Sequence, residues 1–457
     1  MKKAVRVICF ITLCFLWLSA VYEVLRWKDT HGDYISSVTE LKYTPDDTVD
    51  VVFVGSSHVY AGIYPSYMWS DWGISAFNVS ISGMDRDSAY YYMKHMFKTQ
   101  SPKVAVVDMF ALSFDKHEHI GNVYRNYLSL PLSKDTLPQL KAYAAKDESV
   151  SANIYDYVAR WPIIHTRYRE LTRYDFDLDA PNYFARGEYL NWESMPTWLY
   201  RPDEASPKMF LSDQEKWLDD LRSLCAENNC ELVFMSLPFH SYEDEQQYID
   251  HAVVYADEYE IPIFDFNRMT DELAIDPETD FFDETHVNAL GAKKLSRFMA
   301  DWLDNTYDLP DHRGEAGYEQ WDLDLKYYEH RRDGDAMAGS YDMYEFLPMM
   351  LRLDDTVSIL NIYNDNEEYD PQKYEILTEY GLTEDDLMRG GIWVLKDQVI
   401  YRAGDEPYLE DLDKYSTLRI ENGTIMINRG IYSKEHPGLS VTVYDRFLNR
   451  LICYKEF

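Results

Sequence analysis

An aspartate and a histidine near residue 285 have the spacing of a catalytic pair. In FFDETHVNALGAKKLSRFMADWL, Asp283 and His286 are three residues apart, just before an amphipathic helix. At that spacing the carboxylate can bond the ring Nδ1–H, fix the tautomer and stabilise the imidazolium, while Nε2 faces a hydroxyl. The pair needs a nucleophile from elsewhere in the chain. Ser57 is the candidate, because VDVVFVGSSHVYAGIYP runs a hydrophobic strand straight into a polar turn.

Each of these motifs also has a structural interpretation. Ser56 and Ser57 would then only form the turn that closes a strand, and Asp283 would only cap the helix that follows it. We interpret His58 as a neighbour rather than the base, because His286 already fills that role. His58, Asp108 and His240 are candidate substrate contacts at the same sheet edge, without a motif of their own.

The elements that position these residues follow from the hydrophobic pattern. Continuous apolar strands alternate with helices near residues 87–99, 213–227, 243–257 and 289–303, which predicts a parallel sheet covered on both faces. We therefore expect an α/β fold, a flavodoxin-like three-layer αβα sandwich with ligands at the carboxyl ends of its strands. The predicted strands are Val49–Gly55, Ser75–Gly83, Lys103–Phe110, Cys230–Pro238 and Ile261–Asn267.

The interval 113–208 interrupts this alternation and predicts an insertion over the same edge, as a lid or substrate platform. Its Arg160, His165 and Arg167 either contact substrate or only tie the insertion to the core. Residues 305–350 are polar and rich in breakers, as in a linker or a loosely packed helix. Period-two patterning from about residue 351 to 457 predicts a smaller, mostly antiparallel α+β domain, in which we see no catalytic constellation.

The N-terminus predicts a membrane attachment. Lys2, Lys3 and Arg6 precede an uncharged run from Val7 to Tyr22. We favour an uncleaved signal anchor within residues 1–27 over a cleaved signal peptide, because bulky Leu18 makes a poor cleavage site. Positive residues before the run keep the N-terminus in the cytoplasm, so the remainder is expected outside the cell membrane.

The net charge and the cysteine positions limit the classes of partner and cofactor that we expect. The formal net charge is −36, from 44 basic and 80 acidic residues, which argues against nucleic acid and against adsorption to anionic lipid. No cysteine and histidine spacing suggests zinc, and we expect no metal or other cofactor. Cys225 and Cys230 either bridge a short loop or remain two buried thiols, of which the second is favoured.

Three blocks of the chain resemble the SGNH, or GDSL, hydrolase family. GSSH (Gly55–His58) resembles the first block and aligns its serine with Ser57. Gly83 in SISGMD matches the glycine of the second block, and DETHVNALG (Asp283–Gly291) matches the final block. The resemblance covers residues 48–304 apart from the insertion. It implies a Ser57–His286–Asp283 triad, with an oxyanion hole made by the N–H groups of Ser57 and Gly83.

Two departures shape the expected activity. Ser56 replaces the family's usual aspartate, as in membrane-anchored members that act on cell-surface polymers, such as the teichoic-acid D-alanylation protein. The third-block Gly-x-Asn-Asp is absent, since the third strand ends in Val107-Asp108-Met109-Phe110. Losing one oxyanion donor costs roughly 10²–10³ in rate. Slow hydrolysis suits a transferase that must keep its acyl group from water, but equally a degenerate enzyme.

The resemblance implies a membrane-anchored serine esterase or O-acyltransferase outside a bacterial cell. Its substrate would be a cell-surface glycan or wall polymer, and its partner a membrane-bound acyl donor protein. The alternative is a catalytically degenerate glycan-binding or assembly protein with the same fold. The C-terminal SVTVYDRFLNRLICYKEF faintly resembles the interleukin-like domain of some secreted and glycan-related proteins, which carries no site residues.

Overall fold

The chain folds into two units, Met1–Leu325 and Lys326–Phe457. Their coordinates come from a computed structural model. It describes residues 2–26, 40–113, 126–128, 130, 133–134, 136–146, 148–171, 173–176, 185–200, 205–207, 212–364, 370–397, 399–403, 407–433 and 437–457.

A parallel sheet forms the centre of the first unit. In the described residues its strand order is β2-β1-β3-β4-β5, and every pairing is parallel. Runs of Val, Ile and Phe suit strands that are buried on both faces, and β1 to β3 are buried throughout. The predicted α/β class and parallel sheet are confirmed, with shorter strands than predicted. The strands are β1 Val51–Gly55, β2 Ala76–Ser80, β3 Val104–Asp108, β4 Glu231–Ser236 and β5 Ile263–Asp265.

Helices cover both faces of this sheet. The helices of the first unit outside the insertion are α1 Lys2–Leu25, α2 Ser57–Gly62, α3 Pro65–Trp72, α4 Arg86–Met96, α9 Ser212–Glu227, α10 Glu243–Glu258 and α11 Ala289–Thr306. Apolar side chains of α4, α9 and α10 share one core with Val52 of β1 and Val107 of β3. On the other face α11 packs on α2 and α3, and the Tyr64 N–H donates to Ser296 Oγ on α11 (2.8 Å).

Helix α1 is long and apolar enough to cross a membrane, although length and composition alone would also fit a signal sequence. Its large apolar side chains from Val5 to Leu18 are exposed and do not pack into the core of the first unit. Its C-terminal end is held by the insertion, where Arg167 donates to the carbonyls of Leu25 (3.2 Å) and Arg26 (2.6 Å). Arg167 also pairs with buried Asp175 (2.7 Å).

The insertion between β3 and α9 contains short helices around a small core of its own. Tyr127, Leu140, Tyr143 and Tyr157 are buried in that core. Arg160 is buried and donates to the carbonyl of Leu130 (2.7 Å). The helices are α5 Thr136–Lys146, α6 Glu148–Ala152, α7 Ile154–Ala159 and α8 Trp161–Ile164, followed by 3-10 turns at His165–Arg169, Arg173–Phe176 and Ala185–Gly187.

Antiparallel sheets make up most of the second unit, as the period-two pattern predicted. One has the order β14-β13-β6-β7-β8, and the other β12-β11-β10-β9. Two helices, α12 Glu319–Gly339 and α13 Met343–Arg352, occupy much of 305–350. A 3-10 helix, Pro371–Tyr380, and α14 Glu384–Arg389 follow β6. The strands are β6 Thr356–Tyr363, β7 Gly391–Lys396, β8 Val399–Ala403, β9 Tyr408–Asp411, β10 Thr417–Glu421, β11 Thr424–Ile427, β12 Gly430–Ile431, β13 Gly438–Asp445 and β14 Arg450–Glu456.

Candidate active site

Asp283 and His286 are hydrogen-bonded to each other in the loop that leads into α11. The Nδ1 of His286 lies 2.9 Å from both carboxylate oxygens of Asp283. The same carboxylate accepts the backbone N–H groups of Thr285 and His286, each at 2.8 Å. A bridge between Phe281 and Val287 closes the loop. The sequence therefore builds a tight turn in which one carboxylate fixes both the backbone and the imidazole.

The electrostatics of the pair keep Asp283 ionised. Burial raises the pKa of Asp283, but the hydrogen bond and charge of His286 and two backbone N–H groups outweigh it and lower the pKa to about 2. An ionised Asp283 requires the proton on Nδ1, so Nε2 of a neutral ring is the basic nitrogen. That Nε2 is buried and has no hydrogen-bond partner among the described residues. It is thus available to take a proton.

Ser57 begins α2 directly after β1 ends at Gly55, and its side chain is half-buried. Ser56 caps the helix by accepting the His58 N–H (3.4 Å). A Cβ at residue 55 would lie 2.5 Å from Val59 Cγ2 and 2.7 Å from Asp108 Cβ, so the turn requires glycine. The ring of His58, the next residue, stands edge-on to His286 with centroids 5.3 Å apart.

Ser57 is therefore a sequence neighbour of a residue that contacts His286, but no hydrogen bond joins Ser57 to Nε2 in this structure. Such bonds are often long in ligand-free enzymes and tighten when substrate binds.

Gly83 lies in the turn after β2, the strand that pairs with β1. Ser80, the last residue of β2, pairs with Gly55 in the sheet. Gly83 has φ +63°, a backbone conformation that favours glycine. Its carbonyl accepts a hydrogen bond from Asn126 Nδ2 (3.1 Å), so the insertion holds this turn in place. Nothing in the sequence around Asn126 predicts this contact, because it joins residues 43 positions apart.

The three candidate substrate contacts differ in environment. His58 is buried against Phe110 (centroids 3.8 Å apart), and burial lowers its pKa well below the usual range. Asp108 is buried under the Ser57 turn, and burial raises its pKa to about 7 in spite of hydrogen bonds from backbone N–H groups. His240 is half-buried beside the Asp283 loop, where its backbone N–H donates to the Glu284 carbonyl (2.9 Å).

The basic residues of the insertion have intrachain partners. Arg160 and Arg167 bind backbone carbonyls, as described above, and His165 Nδ1 lies 2.7 Å from the carbonyl of Pro162. Arg160 and His165 thus bond within the insertion and Arg167 bonds to the end of α1, so none of these contacts ties the insertion to the core of the parallel sheet.

Two further residues of the DETHVNALG block, Thr285 and Asn288, support the site. Thr285 Oγ1 lies 3.0 Å from His286 Nδ1 and shares the Asp283 carboxylate. Asn288 caps α11 and donates to the carbonyls of Thr279 (2.7 Å) and Glu193 (3.0 Å). The D-x-x-H-x-N pattern contains Asn288, so its capping position was the available signal.

No arrangement of three or more His, Cys, Asp or Glu residues suited to a metal ion occurs in the described ranges. Cys225 and Cys230 are buried free thiols. No protein-family model matches the chain, and no curated protein matches it either.

Proposed function

We propose that the chain is a membrane-anchored serine esterase or O-acyltransferase of the SGNH type that acts outside the cell on a glycan or wall polymer. One observation carries the proposal. Asp283 holds the imidazole of His286 in the tautomer of a general base, and the Nε2 of that ring has no partner among the described residues. Strand order and the positions of Ser57 and Gly83 at adjoining strand ends support the same fold and site.

The proposed reaction has two balanced steps. Ser57 Oγ attacks the acyl carbonyl carbon while His286 Nε2 takes its proton, and the carbonyl oxygen becomes an oxyanion. The tetrahedral intermediate expels the alcohol, which leaves with the proton from His286, and the acyl group remains on Ser57. Water or a sugar hydroxyl then attacks this ester, giving its proton to His286, and Ser57 departs with that proton.

The oxyanion would be held by the N–H groups of Ser57 and Gly83. Ser57 is the first residue of α2, where the backbone N–H groups of a helix have no partner within the helix. The third-block Gly-x-Asn-Asp is absent from the sequence at the end of β3, so no third donor is assigned. We therefore propose slow acyl turnover, which suits a transferase that must keep its acyl group from water but does not itself select the acceptor.

Labelling with a fluorophosphonate tests the nucleophile. The full chain in detergent should be labelled, and Ser57→Ala should abolish the label. Ser56→Ala is the matched control, because it removes only a helix cap, which costs about 1 kcal/mol, and should still be labelled. If folded protein is not labelled, or if Ser56→Ala rather than Ser57→Ala loses the label, the assignment is wrong.

Transfer and hydrolysis are separated by an acceptor. Aryl acetate hydrolysis is measured with and without an oligosaccharide, and the sugar is analysed by mass spectrometry. Acetylated sugar supports the transferase, whereas release of acetate alone leaves an esterase.

The alternative is a degenerate protein that binds glycans or assists assembly. The absence of a hydrogen bond between Ser57 and His286 and of the third-block asparagine favours it. Under this alternative the folded protein remains unlabelled in the fluorophosphonate experiment.

A further inference from the structure

An exposed aromatic surface flanks the candidate site. Trp198 is 56% exposed and packs edge-on against His240, with ring centroids 3.7 Å apart. Tyr242 is 63% exposed, and its ring centroid lies 5.3 Å from that of the same imidazole. We call Trp198, His240 and Tyr242 the aromatic platform. Large aromatic rings bury much area when a ligand stacks on them, so two exposed rings beside one imidazole offer a stacking surface.

Main-chain hydrogen bonds connect the aromatic platform to the candidate site. The N–H of His240 donates to the carbonyl of Glu284, which lies between Asp283 and His286 (2.9 Å). The preceding residue, Phe239, contacts the ring of His58 with centroids 5.1 Å apart. The strap that carries Trp198 is pinned to the same region, because Met195 N–H donates to the Phe281 carbonyl (2.8 Å). The main chain that carries the platform is therefore held beside the Asp283 loop, while the cited bonds leave the Trp198 side chain unconstrained.

The imidazole of His240 is short of hydrogen bonds. Both ring nitrogens are shielded from solvent, and neither has a partner among the described residues. A buried polar atom without a partner costs free energy, which a ligand hydroxyl could recover by bonding to it once the indole shifts. Flat apolar rings around an unsatisfied polar group suit a pyranose, which has an apolar face and a rim of hydroxyls.

The charges near the platform determine which charge a bound sugar can carry. Glu243 and Asp244 follow Tyr242 on the first turn of α10 and are exposed, as is Glu284. The basic residue that follows Trp198 most closely in the sequence, Arg201, lies outside the described residues. The whole chain carries a net charge of −36. These carboxylates repel phosphate or uronate groups and attract ammonium groups, which aromatic faces also bind.

We propose that the aromatic platform is a sugar subsite that stacks a neutral or amino-bearing pyranose of the polymer and rejects polyanionic polymers. The proposal rests on the proposed function, for which it names the substrate class.

Binding is measured by calorimetry on the full-chain Ser57→Ala variant in detergent, so that catalysis is not required. The probes are the pentamers of glucosamine, N-acetylglucosamine and galacturonic acid. We expect binding in the order glucosamine, N-acetylglucosamine, then galacturonate. Adding Trp198→Ala or Tyr242→Ala should each weaken glucosamine binding about tenfold. Tyr341→Ala, at an 87% exposed tyrosine of the second unit, is the matched control and should change nothing.

Three results would overturn the proposal: no pentamer binds, galacturonate binds most tightly, or the platform variants bind like the control. A change in oligomeric state with unchanged sugar binding would instead identify the platform as a contact between copies, and the proposal would be wrong. Failure of the proposed function would give a different experimental result. In that case the pentamers still bind through the platform, but the unmodified protein is not labelled by the fluorophosphonate.

Discussion

Asp283 makes contacts with the backbone and the side chain of its own loop, and both should matter for catalysis. Asp283→Asn keeps an oxygen for the N–H groups of Thr285 and His286 but no longer favours the proton on Nδ1. We expect kcat for aryl acetate hydrolysis to fall by about 10³ to 10⁴, with little change in melting temperature. Glu284→Gln, at the exposed next residue, is the control and should retain most of the activity.

Asp108 should make stability depend on pH. Its pKa in the folded protein is raised by burial from 3.8 to about 7, so folding favours the protonated form. The stability that this carboxyl contributes is full below about pH 4 and is lost as the pH rises through about 7. The change is on the order of 4 kcal/mol.

Asp108→Asn removes this titration and keeps an acceptor for the Phe110 N–H. We expect the variant to melt higher than the unmodified protein at pH 8 and to gain less, or nothing, at pH 5. Thermal melting at the two pH values measures the difference. Buried Glu40, whose pKa is raised to about 8 by burial, titrates in the same direction and is present in both proteins. An equal shift at both pH values would contradict the pH argument.

The sequence predicts local site contacts better than distant ones. Asp283 and His286 are three residues apart, so spacing alone predicted the pair that the structure contains. The burial of Asp108 under Gly55 depends on the pairing of β1 with β3, and Trp198 reaches His240 from 42 residues away. Neither contact has a local pattern. Both depend on how strands and the insertion pack.

Among the elements of the second unit, the part of α12 after Leu325 is bonded to its neighbours through a buried imidazole. His330 on α12 bonds Asp445 at the end of β13 and Asp354 before β6, each at 2.9 Å. Burial lowers the pKa of His330, but the two carboxylates outweigh it and raise the pKa. The contribution to stability is therefore full below the usual pKa of 6.5 and is lost as the pH rises through the raised value.

The two carboxylates on His330 differ in burial, which provides a matched pair of variants. Asp445 is fully buried, whereas the side chain of Asp354 is 72% exposed. We expect Asp445→Asn to destabilise the second unit by about 3 kcal/mol and Asp354→Asn by less than about 1 kcal/mol, because solvent screens the exposed pair. Chemical denaturation at pH 6 measures both, and equal effects would contradict this argument.

Element bounds show the same division between local and distant causes. Helix α10 begins at Glu243, as the amphipathic pattern predicted. The strand predicted over Ile261–Asn267 shortens to Ile263–Asp265, because only that part pairs with β4 at the sheet edge. Helix α12 lies in a segment whose polar, breaker-rich composition also suggested a linker. Its Trp321 is buried, with the Cζ of Arg186 4.2 Å from the centroid of the Trp321 ring. Arg186 also pairs with Asp324. Both partners lie 135 or more residues from Arg186 in the sequence.

For the whole molecule, we expect α1 to determine where the protein is found. We expect the full chain to remain with membranes after alkaline carbonate extraction, because the exposed apolar face of α1 prefers lipid to water. A variant without residues 1–26, exported by a cleavable signal peptide, should be soluble. Western blotting of the fractions measures both. A shortened mature N-terminus would indicate a cleaved signal sequence instead, and release of the uncleaved chain by carbonate would contradict the membrane anchor.

The contact of Arg167 with the end of α1 affects how far from the membrane the candidate site can act. With α1 in a bilayer, the last carbonyls of the helix emerge at the lipid headgroups, and Arg167 holds the insertion to them. The insertion in turn holds the Gly83 turn through Asn126. These contacts tie the candidate site to the end of α1. Under the proposed function, we therefore expect the protein to modify polymer segments close to the membrane rather than the outer layers of the wall.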